Sequence, residues 1–400
     1  MNTPLNIEDP DANPASRFAL FALGFRPFFL LAGITAMLLV PLWVYIFTGA
    51  EAAFAYYDPL TWHGHEMLFG YSVAVIAGFL LTAAGNWTGL PMPSGKALAG
   101  LVLLWLAGRV LPFFAASISP WLIAAVDLLF LPVLAIVIAI PLLRSRQNQQ
   151  LVFLLVLTAL AGANLMVHLQ LLGFDTSSAR LGLKLAIYLV IFLIVVMGGR
   201  VIPFFTNHGV NREISWQWKV VEILAIVALL LLIMLELAAA PPMAIAVLAG
   251  VAALMHAIRL YGWYQAIIWR EPLLWVLHLG YAWLVVGLLL QALGASGQIN
   301  PLLYLHAFTL GVIGSLTLGM MARVSLGHTG RELVVGWPLS TAFALINLAA
   351  VARVILPLLD AQHYGQWIVL AGVFWTLAFM LFVFVYARIL ILRRVDGRPG

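Results

Sequence analysis

The stretch WHGHEMLFGYSVAVIAGFLLTAAGNWTG, Trp62–Gly89, opens with two histidines and a glutamate and then runs on without another charge. An apolar run of about 20 residues crosses a hydrocarbon core roughly 30 Å thick as a helix, which satisfies its own backbone N–H and C=O groups. Twelve such runs recur, near 26–47, 61–84, 97–115, 120–142, 151–173, 180–202, 217–239, 242–262, 272–293, 301–324, 338–359 and 365–391. The chain therefore reads as an all-α, polytopic membrane bundle of about 12 transmembrane helices, a single integral membrane domain over 1–400. Between the runs there is no room for a soluble domain, so the chemistry must lie within the bundle.

Composition agrees. Hydrophobic residues are 64% of the 400 and charged ones 9%, which no water-facing core accommodates. Sixteen of the 20 Lys and Arg fall on one side; Arg109, Arg180, Lys184 and Arg353 fall on the other. The positive-inside rule then puts both termini in the cytoplasm. The net charge of +5 follows from that topology and calls for no nucleic-acid partner. The polar tail 1–16 lacks the basic n-region of a cleavable signal, so the first helix is expected to insert as an uncleaved anchor. Cysteine is absent, which excludes disulfides, Fe–S clusters and thiolate-ligated haem or copper.

That leaves histidine as the principal soft donor, and most of the nine lie at two depths. At 1.5 Å per residue, His65, His168 and His306 sit on the order of 7–8 Å below the outer surface. His256 and His278 sit roughly 9 Å in from the inner one. His208 and His328 fall at or beyond the inner boundary, and His363 lies in the last outer loop. Intramembrane polar residues often only bond neighbouring helices, yet agreement in depth across several helices favours ligands for a metal or haem.

Within TWHGHEMLFGY, residues two apart on a helix differ by about 200°, so His63 and His65 must serve two partners. His63 and Glu66 share a face, so the carboxylate is placed to orient that imidazole; equally, it could cap the first turn. Asn164 and His168 are spaced i,i+4 in the same way, and Trp275, His278 and Tyr281 form a stripe that suits either a flat macrocycle or plain packing. Aligned from His65 and His306, Gly70 matches Gly311, Gly78 matches Gly319, and Thr88-Gly89 matches Thr329-Gly330, which makes the two histidines candidate structural equivalents. AGRVLPFF from Ala107 and GGRVIPFF from Gly198 match at six of eight positions, and a looser ARVILP starts at Ala352. Arg109 and Arg353 end helices 3 and 11 on the outer face and Arg200 ends helix 6 on the inner face. Each reads as a snorkelling anchor or as a clamp on haem propionates.

The helix 2 stretch quoted above resembles the hallmark segments of the NnrS family. So do GFRPFFLLAG (Gly24–Gly33), GGRVIPFFTN (Gly198–Asn207) and HAFTLGVIGSLTLGMMARVSLGHTGR (His306–Arg331). The resemblance spans nearly the whole chain. It implies a twelve-helix protein of the bacterial inner membrane carrying haem and copper, tied to nitric oxide stress and denitrification, and distantly like subunit I of the haem-copper oxidases. By that likeness, helices 2 and 10 would supply the axial ligands of a haem b, His65 and His306, and His63, His168 and Glu66 would serve copper. His256 and His278, with His328, would carry a second haem, and Arg109, Arg353 and Arg200 would hold propionates. Helices 6 and 7 contain no buried His, so the oxidases' three-histidine copper centre beside a second haem is not reproduced.

The expected function is binding or removal of nitric oxide or iron-nitrosyl species within the bilayer, with an electron donor such as a quinol. Whether the protein turns over a substrate stays open. The rival is a twelve-helix secondary transporter or proton relay using intramembrane His, Glu66 and Glu236.

Overall fold

The computed structural model describes residues 18–50, 56–210 and 217–398. The polar tail 1–16, with Arg17 and Arg212 from the charge count, lies outside them. Twelve helices are long and apolar enough to cross a membrane: α1 Phe25–Phe47, α2 Pro59–Thr88, α3 Gly95–Phe114, α4 Pro120–Arg144, α5 Asn148–Leu171, α6 Ser178–Gly209, α7 Lys219–Leu237, α8 Pro242–Trp263, α9 Pro272–Ala295, α10 Leu302–His328, α11 Trp337–Leu359 and α12 Tyr364–Ile391. The protein is an all-α multi-pass membrane bundle. The side on which α1 begins, where the sequence concentrates Lys and Arg, is here called the basic side, and the other the opposite side.

Two spans differ from the sequence reading, each for a local reason. Helix α2 starts earlier because Asp58 caps it, accepting from the backbone N–H of Leu60 (3.1 Å) and Thr61 (3.0 Å) ahead of the N1 proline Pro59. Helix α6 does not end at Arg200. It continues through Pro203 to the basic side and leaves Arg200 exposed. Pro203 has no N–H for the Gly199 carbonyl one turn back, and the Gln217 amide donates to that carbonyl instead, at 3.2 Å.

Helices adjacent in sequence pack together, and α12 returns against α1, so the chain closes on itself. The Arg26 guanidinium seals that closure, donating to the terminal carbonyls of α12 at Leu390 (3.1 Å) and beyond it at Leu392 (2.7 Å). Helices α2 and α10 are the most enclosed spans, with 78% and 67% of their apolar windows buried. These are the helices that carry HGHE and His306.

Both central helices are interrupted by π-helical turns, Glu66–Ser72 in α2 and Ala307–Gly314 in α10, and a third covers Val351–Ile355 in α11. His65 and His306 are each the last residue before such a turn, so the weak internal repeat has a structural counterpart. A π turn adds a residue per turn and re-aims every side chain after it.

Close approach at the repeat glycines is a packing requirement. A Cβ on Gly311 would lie 2.6 Å from Cγ of Trp283, whereas one on Gly250 would meet nothing within 4 Å. Gly311→Ala is expected to lower stability by about 1–3 kcal/mol through overpacking. Gly250→Ala is expected to leave the thermal unfolding midpoint in detergent unchanged or slightly raised, and equal midpoints for the two variants would contradict the packing shown.

Candidate metal centre

Helix α4 is apolar from Pro120 to Leu143 except for one charged residue, Asp127, which is 5% exposed. A carboxylate at that depth must be compensated. Arg109 of α3 supplies the counter-charge, pairing with Asp127 Oδ1 and, through Nε, with Glu66 Oε2 at 3.2 Å. Gly108 makes the approach possible, since a Cβ there would stand 2.7 Å from Asp127 Oδ1.

The other carboxylate oxygen gathers three donors. Asp127 Oδ2 accepts from Asn164 Nδ2 at 2.7 Å, lies 2.9 Å from His168 Nε2, both of α5, and lies 3.2 Å from His65 Nε2 of α2. Asn164 Oδ1 faces the same His65 nitrogen at 2.9 Å. His65 and His168 are fully buried, and one ligand atom from each of His65, Asp127 and His168 lies within 4.8 Å of the others.

Two tyrosines ahead of α2 complete the surroundings. The Tyr56 hydroxyl stands 2.8 Å from His168 Nδ1, and the Tyr57 hydroxyl stands 3.2 Å from His65 Nδ1. Burial, reinforced by the Asp127 charge, pushes both hydroxyls well above the usual tyrosine range, so they stay protonated. With Tyr56 as donor, neutral His168 carries its proton on Nε2 and presents it to Asp127; with Nδ1–H donating to the Tyr56 oxygen, Nε2 is free to ligate a cation. Glu66, Asp127 and Arg109 give the cluster a net charge of about −1 with neutral imidazoles, the sign a cation requires.

Glu66 does not orient His63, as the helical spacing had implied. The Glu66 carboxylate lies instead 3.2 Å from His65 Nδ1 and pairs with Arg109. Arg109 is committed to two carboxylates and is not available as a propionate clamp. His63 faces away from His65, stacked on Trp43 with ring centres 4.5 Å apart. His306 ends the segment that packs against the π turn holding Arg353, and His63 and His306 both lie within reach of the Arg353 charge. The structure thus brings His65 together with His168 and Glu66, and sets His306 and His63 on the side of Arg353, but does not bring His65 and His306 to one point.

On the basic side His256 and His278 do not converge. His256 Nδ1 meets the Tyr281 hydroxyl at 2.7 Å; that oxygen also accepts from Arg259 Nη1 at 2.7 Å, and Arg259 pairs with Glu222 at 2.6 Å. His278 Nδ1 donates to the Leu274 carbonyl at 3.0 Å. The aromatic stripe divides likewise, Tyr281 toward His256 and Trp275 toward Phe343. His328 packs on Phe25, His208 is exposed, and His363 pairs with Asp360, whose carboxyl it holds below the usual range.

Sequence reasoning missed Asp127, Tyr56 and Tyr57. Asp127 had a signal, since a lone acid in an apolar span marks a functional site. The tyrosines had none, because they lie outside any helix.

A family model described as NnrS protein matches residues 19–394, and the chain belongs to that family. No curated protein matches it.

Removing one partner of a buried ion pair leaves the other uncompensated, so Asp127→Ala is expected to cost about 3–5 kcal/mol. The double variant Asp127→Ala, Arg109→Leu should be less destabilised than the sum of the two single changes in thermal unfolding. Additivity within about 0.5 kcal/mol would remove the pair from the account.

Proposed function

We propose that this NnrS-family protein serves the nitric oxide response from within the membrane, holding a redox-active metal ion, copper by preference, at His65, His168 and Asp127. The observation that carries the reading is the convergence of two fully buried imidazoles and one carboxylate from α2, α4 and α5. Two imidazoles with a carboxylate suit copper, iron or zinc, and the copper preference comes from the family resemblance. Bound there, copper would supply a one-electron centre with affinity for nitric oxide.

The protein's own contribution is positioning and exclusion. Tyr56 and Tyr57 fix the rings through Nδ1, so both Nε2 atoms turn toward Asp127. Asn164 sits between His65 and Asp127 and locks the register of α5 against α2. Arg109 and Glu66 balance charge in a region of low dielectric. The adjoining void, lined by Phe69, Trp105 and Phe130 among others, is about 10 Å³, the lower limit for one water-sized molecule. A neutral diatomic crosses hydrocarbon freely, whereas hydrated ions do not.

A porphyrin does not fit at His65, where both ring nitrogens are engaged and the void is of water size. His306 is chemically suited to haem. Its Nδ1 donates to the Leu302 carbonyl at 2.8 Å and leaves Nε2 as a donor atom toward iron. A haem b on that side would supply a second redox centre in the same half of the bundle.

One observation favours the relay reading. Glu236, one residue from the end of α7, is enclosed by Lys184, Tyr188 (3.2 Å) and Gln291 (2.6 Å) across α6, α7 and α9. This network is separate from the His65 centre, and such a buried staple also holds helices together.

Purified protein should carry close to one copper per chain by elemental analysis, and His65→Ala and His168→Ala should each reduce it severalfold or more. His278→Ala should not. Copper content that ignores both changes in folded protein would rule out this centre.

A further inference from the structure

Five arginines among the described residues are nearly or fully buried at membrane depth, and they differ in what compensates them. Arg109 meets two carboxylates, Arg259 meets Glu222, Arg26 meets helix-end carbonyls, and Arg323 lies over the Phe205 ring, 3.7 Å from its centre. Arg353 is 7% exposed and meets none of these. Its Nη2 donates to the Tyr364 hydroxyl at 3.1 Å, and its guanidinium lies 5.3 Å from the centre of the Tyr364 ring. Nη1 is wholly buried with no acceptor among the described residues. No described carboxylate pairs with it. A guanidinium desolvated to this degree without an anion is costly to hold, for Arg323 as for Arg353; what sets Arg353 apart is its neighbours.

What surrounds it points to a ligand. Arg353 lies inside the π turn Val351–Ile355, which packs against the start of α10 where His306 ends its own helical segment. His306 and His63 both keep accessible surface, and both feel the Arg353 charge. Trp43 fixes the His63 ring by stacking at 13° between planes. A cation with a free donor, two imidazoles and aromatic walls is the reverse of the His65 cluster, where acids outnumber the cation.

We infer that His63, His306 and Arg353 form a binding site for an anionic group, a carboxylate or small oxyanion, beside the centre that takes a cation. The planar fork of Arg353 recognises two oxygens, and the imidazoles supply N–H donors or a nitrogen ligand according to tautomer. The anion has two possible sources with one chemistry. It is a free species such as nitrite or formate, or it is the carboxylate edge of a bound porphyrin. In the second case the inference deepens the haem reading and rests on it.

The test uses full-length protein in detergent. Sodium nitrite and sodium formate are titrated by calorimetry at ionic strength held constant with chloride, and haem is quantified as the pyridine haemochrome. A free-anion site gives saturable nitrite or formate binding that weakens about tenfold or more in Arg353→Gln, the effect of one lost charge-assisted hydrogen bond. A porphyrin source gives haem in the wild-type protein, a severalfold lower content in Arg353→Gln, and no anion binding to the haem-loaded form. Arg353→Lys, which keeps the charge and loses the fork, should fall between. Copper at His65 and His168 reports folding independently and should persist in both variants. If it persists while anion binding and haem content are the same with Arg, Lys or Gln at 353, the inference is overturned. The metal-centre proposal then stands or falls by its own variants.

Discussion

A carboxylate buried in the middle of an apolar helix sets the terms for the half of the bundle around it. Asp127 cannot reach water, so its two oxygens must be satisfied by neighbouring helices, and they are divided cleanly. Oδ1 takes the Arg109 charge, and Oδ2 takes the polar hydrogens of α2 and α5. Four helices are thereby tied at one point, in a medium where apolar packing gives little preference for one helix partner over another. Glu66 adds a second carboxylate to the same guanidinium, 3.2 Å from Arg109 Nε.

The same logic explains a sequence echo that first looked like a repeated anchor. In AGRVLPFF, Gly108 gives Asp127 the room to approach Arg109. In GGRVIPFF, a Cβ on Gly199 would stand 2.0 Å from Arg259 Nη2 and 3.1 Å from Glu222 Oε2, so Gly199 admits an ion pair made by two other helices. What recurs is a glycine gap for a buried ion pair, and the arginine after the glycine need not belong to it. Arg200 is exposed. The third echo has Ala352 in place of the glycine, no carboxylate enters beside it, and Arg353 is left with a tyrosine.

The fold was legible because period and hydropathy are strong signals in a chain that must satisfy its backbone in lipid, and all twelve spans follow from them. Boundaries failed where local chemistry overrode hydropathy, at Asp58-Pro59 and across Pro203. The opposed directions of His63 and His65 also followed from helical geometry alone. Which residue each one meets did not, for two reasons. Glu66 shares a helical face with His63, yet its flexible side chain reaches round to His65 and Arg109. Pairing between distant helices, as of His65 with His168 or His306 with Arg353, depends on helix rotation that a period-3.6 pattern leaves undetermined. Depth was readable from the sequence, azimuth was not, and Asp127 was passed over because attention to histidine hid the one acid that organises them.

On the proposed reading two clusters of opposite sign lie on different faces of α2, one reached from His63 and the other from His65, two residues on. In water, screening would blur such neighbours; in a bundle of low dielectric each keeps its field. On the proposed reading the membrane then selects ligands by charge before any contact is made. A neutral diatomic reaches the His65 centre through hydrocarbon, whereas a metal cation must arrive by a polar route. That route is short, since His65 lies about 9 Å below Pro59 and the intervening polar groups are the hydroxyls of Tyr56 and Tyr57. The tyrosines thus stand both where the rings are oriented and where a cation enters from the opposite side, so loading of the ion and access of the diatomic use different paths.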